Sequence, residues 1–275
     1  LPEQMLMQLN NQKRDPVDIS LLDEYLNIKD LRVFLDNEAV PENYSGLILH
    51  CAEGGLSISC SGNKSASPTQ IHFSSDSLQY RLNTSKRSEG LLKAIGMDKY
   101  SLPLHILDGT AGLGTDAYIM AAMGCQVSMV EKSPIMAALL NDGLKRGINS
   151  ADPLQKSYLQ RMTLHFTDVI SHLKGIEKSA IKPDVIYLDP MFPAREKSAK
   201  VKKDMALMQK LLPANDNVAE MLDMALRTAG KRVVLKRPGK AKPKAMKQAS
   251  PRPEFQVPGK ACHFQVYLTA QAGSQ

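Results

Sequence analysis

The chain has 275 residues, 43% of them hydrophobic and only 5% aromatic, with a formal net charge of +7. That suits one large α/β domain plus an appendage, and the basic balance favours an anionic partner, most often nucleic acid. No apolar run approaches the roughly 18 residues a membrane helix needs. Polar residues stand where a signal peptide would begin, and the 4 cysteines show neither C-x-x-C nor zinc-finger spacing. A cytoplasmic protein with free thiols, no metal and no membrane partner is the expectation.

In chain order, residues 17–35 suggest a short helix and a strand. Residues 47–51, 56–60, 70–73 and 78–82 read as short strands broken by Gly54-Gly55 and the 61–68 turn, which together predict a small antiparallel sheet. Residues 88–96 read as a helix. From Leu104 strands and helices alternate: strands at 105–108, 126–131, 162–166, 185–188, 232–236 and 263–269, and helices at 116–123, 134–146, 199–212 and 218–228. Alternation of this kind implies a parallel sheet covered on both faces.

Four segments carry chemistry. Asp108-Gly-Thr-Ala-Gly-Leu-Gly-Thr-Asp-Ala117 follows a strand and opens a helix. Gly109, Gly112 and Gly114 run G-x-x-G-x-G, not the dinucleotide spacing, and the leading Asp108 repels phosphate but suits a cation. A methionine-derived sulfonium cofactor meets that requirement. Glu131 ends the next strand, about 20 residues on, where a carboxylate can accept both hydroxyls of a ribose. Thr167 and Asp168 follow the third strand. Asp168 either meets an adenine amino group or caps the next helix, and one residue can do both.

The fourth segment is Asp184-Val-Ile-Tyr-Leu-Asp-Pro-Met-Phe-Pro193. The lone pair of a nucleobase amine is delocalised into the ring, so the nitrogen is a poor nucleophile. Acceptors on its hydrogens favour a pyramidal nitrogen with an available lone pair. Asp189 and the Pro190 carbonyl are suited to that, and Phe192 to stacking on the ring; alignment and electrostatics then supply the acceleration. Arg195, Lys197, Lys200, Lys202 and Lys203 follow directly, and Lys236, Arg237 and Lys240 follow the fifth strand. Both groups are expected to flank the pocket and neutralise phosphates, with Ser85–Ser88 adding a contact. Between Asp223 and Glu254 the chain has no acidic residue.

These segments, with Val130-Glu-Lys-Ser-Pro, Ala137-Ala-Leu-Leu-Asn-Asp-Gly-Leu and Lys231-Arg-Val-Val-Leu-Lys-Arg-Pro, resemble the bacterial small-subunit ribosomal RNA methyltransferase J family (RsmJ) over roughly Ser88 to Thr269. The Asp-Pro-Met-Phe-Pro segment is its most specific mark. The resemblance implies methylation of guanine N2 in the 3′-terminal hairpin loop of 16S rRNA, with S-adenosyl-L-methionine as cofactor and the RNA or the small ribosomal subunit as partner. It also implies cofactor contacts at Thr115, Asp116, Glu131, Lys132, Thr167, Asp168 and Asp189.

The expected fold class is α/β, a class I S-adenosylmethionine-dependent methyltransferase: Rossmann-like, with a mostly parallel seven-stranded sheet and helices on both faces. A small N-terminal β-rich subdomain is expected over residues 1–87, with the methyltransferase domain over 88–275. Two competing readings are an amino methyltransferase acting on DNA or another RNA, and a non-catalytic RNA-binding module with a methyltransferase-like fold.

Overall fold

The computed structural model describes residues 31–35, 47–52, 54–60, 68–88, 90–150, 152–190, 217–239, 251–259 and 261–269. Its main body is a seven-stranded sheet of β4 (His105–Asp108), β5 (Gln126–Glu131), β6 (Met162–Phe166), β7 (Val185–Leu188), β8 (Arg232–Pro238), β9 (Phe255–Pro258) and β10 (Cys262–Leu268). The spatial order is β6-β5-β4-β7-β8-β10-β9. Every pairing from β6 through β8 is parallel, and only β10 runs against its neighbours. The expected mostly parallel seven-stranded α/β sheet is therefore present.

Successive side chains of a strand point to opposite faces, and here both faces are apolar. Ile106, Val127, Met129, Val185, Tyr187, Val234 and Val266 belong to one buried cluster. Their neighbours Leu107, Val130, Ile186, Leu188, Val233, Leu235 and Tyr267 belong to the other. The first face is covered by α1 (Asp76–Ser88), α2 (Gly90–Ile95), α3 (Thr115–Ala122), α4 (Pro134–Ser150) and α5 (Pro153–Leu159). The second is covered by α6 (Val169–Glu177) and α7 (Val218–Thr228). Near-continuous apolar strands are what a sheet buried on both sides requires.

A smaller sheet, β1 (Leu31–Leu35), β2 (Leu47–Ala52) and β3 (Gly55–Cys60), precedes the main one. The expected antiparallel arrangement holds only for β2 with β3; β1 pairs with β2 in parallel. Leu47, Leu49, Leu56 and Ile58 join the same buried cluster as α3 and α4. A polar link reinforces that packing: Asp142 on α4 accepts the Leu56 N–H at 3.1 Å and the Arg146 Nε at 2.8 Å, and Arg146 donates to the Ile71 carbonyl at 2.9 Å.

Two expected strands are corrected. Residues 78–82 lie inside α1. An alternating Leu78-x-Tyr80-x-Leu82 also places Leu78 and Leu82 at i and i+4, which share a helix face. Leu78 and Leu82 are buried, whereas Tyr80 is 69% exposed, as a helix demands and a strand forbids. At 70–73 there is no strand; a single bridge joins Thr69 to Ile58, and Ile71 and Phe73 bury from irregular backbone. The 199–212 helix falls outside the described residues.

Candidate active site

Parallel strands point their carboxyl ends the same way, so four strand tips lie in a row in the order β6, β5, β4, β7. From β4 the chain steps outward to β5 and β6, then returns to the other side of β4 for β7. That reversal opens a crevice at the ends of β4 and β7, where open α/β sheets bind ligands. The two loops there are tied together. The Gly109 N–H donates to the Tyr187 carbonyl at 2.9 Å, and the Asp189 N–H donates to the Thr110 Oγ1 at 2.6 Å. Asp108 and Asp189 thereby flank the switch point.

The glycine loop owes its residues to packing as well as to access. Gly114 caps α3 with φ at 70°, a left-handed conformation that favours glycine, and a Cβ there would stand 2.7 Å from Leu140. A Cβ on Gly109 would stand 2.7 Å from Val169 and 2.8 Å from Leu188. Thr115 and Asp116 open α3 directly after this loop.

Glu131 ends β5 with its carboxylate buried and held by backbone donors that include Gly112 N–H at 2.9 Å and Ser133 N–H at 2.6 Å. Burial raises its pKa, and the two N–H groups oppose the rise. Oε2 accepts from Gly112 and Oε1 from Ser133, so the group is fixed in orientation. Lys132, next along, is exposed.

The centre of the site is a chain of hydrogen-bonded and ion-paired side chains. Asp116 Oδ2 accepts the Tyr187 hydroxyl at 2.5 Å and the Lys236 Nζ at 2.9 Å, while its Oδ1 meets the Arg81 guanidinium at 2.7 Å. Lys236 reaches on to Asp189 Oδ2 at 2.7 Å. Burial alone would raise the Asp116 carboxyl, but Lys236 and Arg81 overrule it and hold the group well below the usual carboxylate range. Burial would lower Lys236, yet Asp116 and Asp189 keep it above the ordinary lysine value. Asp189 is raised by burial, with Lys236 opposing. Asp108, almost fully buried, is pushed up to about 8 by burial, against one N–H donated by Thr110 at 3.1 Å.

Of the other expected residues, Asp168 caps α6, accepting the Ser171 N–H at 2.9 Å, and the Thr167 N–H donates to the Glu131 carbonyl at 3.2 Å. Pro190 follows Asp189 at the tip of β7 and is buried. Arg237 donates to Gln265 at 3.2 Å. Lys236 points into the site and ion-pairs with two carboxylates. Phe192, Arg195, Lys197, Lys200, Lys202, Lys203 and Lys240 lie outside the described residues, as do the side chains of Ser85–Ser88. Sequence reasoning passed over Thr110, Tyr187 and Arg81. A tyrosine inside an apolar strand is a signal that its hydroxyl has a partner. Arg81 carries no signal of its own.

The chain is similar to known methyltransferases. A family model described as "Putative SAM-dependent methyltransferase" matches residues 35–269. The "Ribosomal RNA small subunit methyltransferase J" of Thioalkalivibrio sulfidiphilus is 40% identical over 224 residues, covering 81% of this chain and 85% of that one. The protein of the same name from Pseudoalteromonas atlantica is 42% identical over 226 residues, with 81% and 85% covered. Among solved structures, a SAM-dependent methyltransferase from Neisseria gonorrhoeae is 28% identical with a TM-score of 0.65, covering 88% of this chain and 97% of that one.

Proposed function

The chain belongs to the ribosomal RNA small subunit methyltransferase J family, a family of S-adenosylmethionine-dependent methyltransferases, and from that premise we propose that it methylates the exocyclic N2 amine of a guanine in the 3′-terminal hairpin loop of 16S rRNA. The observation that carries the reading is the row of carboxylates at the switch point: Asp108 and Asp189 on adjoining strand tips, with Glu131 one strand away.

The donor set fits the cofactor. Glu131, locked by two backbone N–H groups, is suited to the ribose hydroxyls. Asp168 spends one oxygen on its helix cap and keeps the other for an adenine amino group, beside Thr167. Thr115, Asp116 and Lys132 border the same pocket by family resemblance. Asp108 ends β4 beside the loop, where a bound cation would favour its charged form. S-adenosylmethionine, when bound, supplies a methyl group on a positively charged sulfur.

Asp189 and the Pro190 carbonyl would accept the hydrogens of the amine and leave its lone pair available to a methyl donor. Alignment and fixed charges, not proton removal ahead of transfer, provide most of the acceleration. Phe192 is the ring that stacks on the base in this reading. The basic segments 195–203 and 240–247 hold flanking phosphates, so affinity should fall with salt. A cytoplasmic location goes with a ribosomal RNA substrate.

The test is transfer of a labelled methyl group to small-subunit RNA that lacks the modification, followed by mass analysis of the RNA fragments. Wild-type protein should label one guanine at N2. A folded Asp189→Ala variant should be slower by on the order of 100-fold or more. Label on a different base, or on DNA in preference, overturns the substrate assignment; an unchanged rate in Asp189→Ala overturns the role of that residue.

A further inference from the structure

Lys236 is paired with two carboxylates. Its Nζ is 2.7 Å from Asp189 Oδ2 and 2.9 Å from Asp116 Oδ2, and its side chain is 23% exposed. A phosphate-binding lysine would extend to solvent with its head free. This one is turned inward from β8 across the end of β7. Asp116 in turn is anchored by Arg81 from α1 and by Tyr187 from β7. Asp189, by contrast, is 37% exposed and has one side-chain partner here, Lys236.

We propose that Lys236 is a positioning residue for methyl transfer: anchored on Asp116, its ammonium fixes the Asp189 carboxylate at the switch point, facing the substrate amine. This rests on the functional reading above and deepens it. A carboxylate that must accept the hydrogens of a weakly basic amine has to be ionised and aimed. One oxygen bound to Lys236 sets the angle of the other. The cation beside it also favours the charged form, against the burial that opposes it. Asp116 is the second carboxylate that keeps the cation in place, so the ammonium is not drawn wholly onto Asp189. The neighbouring charged and titratable groups are Asp108 from β4, Arg81 from α1, Asp116 from α3, Tyr187 from β7 and Cys262 from β10, and all remain when Lys236 alone is replaced.

The experiment uses the full chain with Lys236→Met, Lys236→Gln and Lys236→Arg, the first two made together so that loss of folding in one leaves the other to decide. Carboxyl-¹³C-aspartate NMR, with Asp189 assigned through Asp189→Asn, follows the titration of that group without any substrate. Removing the ammonium should move the Asp189 midpoint upward, and Lys236→Arg should return it. With RNA and S-adenosylmethionine, kcat should fall about 100-fold in the Met and Gln variants, the scale expected for a misplaced catalytic group. The acid limb of the pH–rate profile should shift to higher pH, and Lys236→Arg should recover much of the rate. RNA affinity and its salt dependence should not change.

An Asp189 midpoint unmoved by loss of the ammonium overturns the proposal. So does a variant that keeps kcat but binds RNA more weakly with a shallower salt dependence, because Lys236 is then a phosphate contact. If the wild-type chain labels no RNA, the functional reading fails separately, and the carboxyl titration still decides whether Lys236 governs Asp189.

Discussion

The carboxylate of Glu131 accepts the backbone N–H of Gly112 at 2.9 Å, so the acid at one strand tip is bonded to the glycine loop at the next. Its other oxygen takes the Ser133 N–H at 2.6 Å. Both oxygens therefore face donors. In Glu131→Gln the amide NH2 would confront one of those N–H groups, so the isosteric change is not conservative. Glu131→Gln and Glu131→Ala should each weaken S-adenosylmethionine binding by roughly 10- to 100-fold, the worth of hydrogen bonds to a charged group. Titration calorimetry checks it. Gln binding as tightly as Glu would show that the two backbone bonds do not orient a cofactor ligand.

Asp108 carries a pH dependence whose sign follows from its burial. Its pKa is pushed from 3.8 to about 8 in the folded chain. Between those values the unfolded chain has lost the proton and the folded chain keeps it. The folded state then binds more protons, so this group's contribution to stability falls as pH rises from about 4 to about 8. Asp108→Asn retains an acceptor for the Thr110 N–H and removes the titration. Its stability relative to wild type should rise with pH across that window, by at most about 1.4 kcal/mol per pH unit. Urea unfolding of both proteins at pH 5, 6, 7 and 8 tests it; parallel curves would mean that Asp108 is ionised throughout.

Leu82 and Tyr80 distinguish the helix from the strand that their alternation suggests. Leu82 is 4% exposed and Tyr80 69%. Leu82→Ala should cost about 2–5 kcal/mol through lost burial and a residual cavity. Tyr80→Ala should stay within about 0.5 kcal/mol of wild type. Equal losses in denaturant unfolding would put both side chains on one buried face, as a strand would.

The methyltransferase sheet was legible because its local signals agree. Strands β4, β5 and β7 end at or just before an acid and β8 closes on a basic pair, and Pro134 marks the start of α4. Other signals were present but unread. Asp152-Pro153 is a helix start, and the structure has Asp152 capping α5 through the Leu154 and Gln155 N–H groups. The N-terminal segment misled because Leu-x-Tyr-x-Leu satisfies period 2 and i, i+4 alike, and only burial against α2 and α3 selects the helix.

At the site, the sequence by itself determined the row Asp108, Glu131, Asp168 and Asp189, since the residue after a parallel strand must stand at the tip of the sheet whatever surrounds it. It equally determined the glycines of the loop, and at Gly109 and Gly114 a Cβ would crowd neighbouring side chains. Tertiary structure alone decided what those carboxylates touch. Arg81 and Asp116 are 35 positions apart, Asp116 and Lys236 are 120 apart, and no local pattern encodes either pairing. A lysine in a basic stretch has the same letter whether it faces phosphate or a buried acid. Strand order set the outcome, by placing β8 beside β7 and turning Lys236 across its tip toward Asp189.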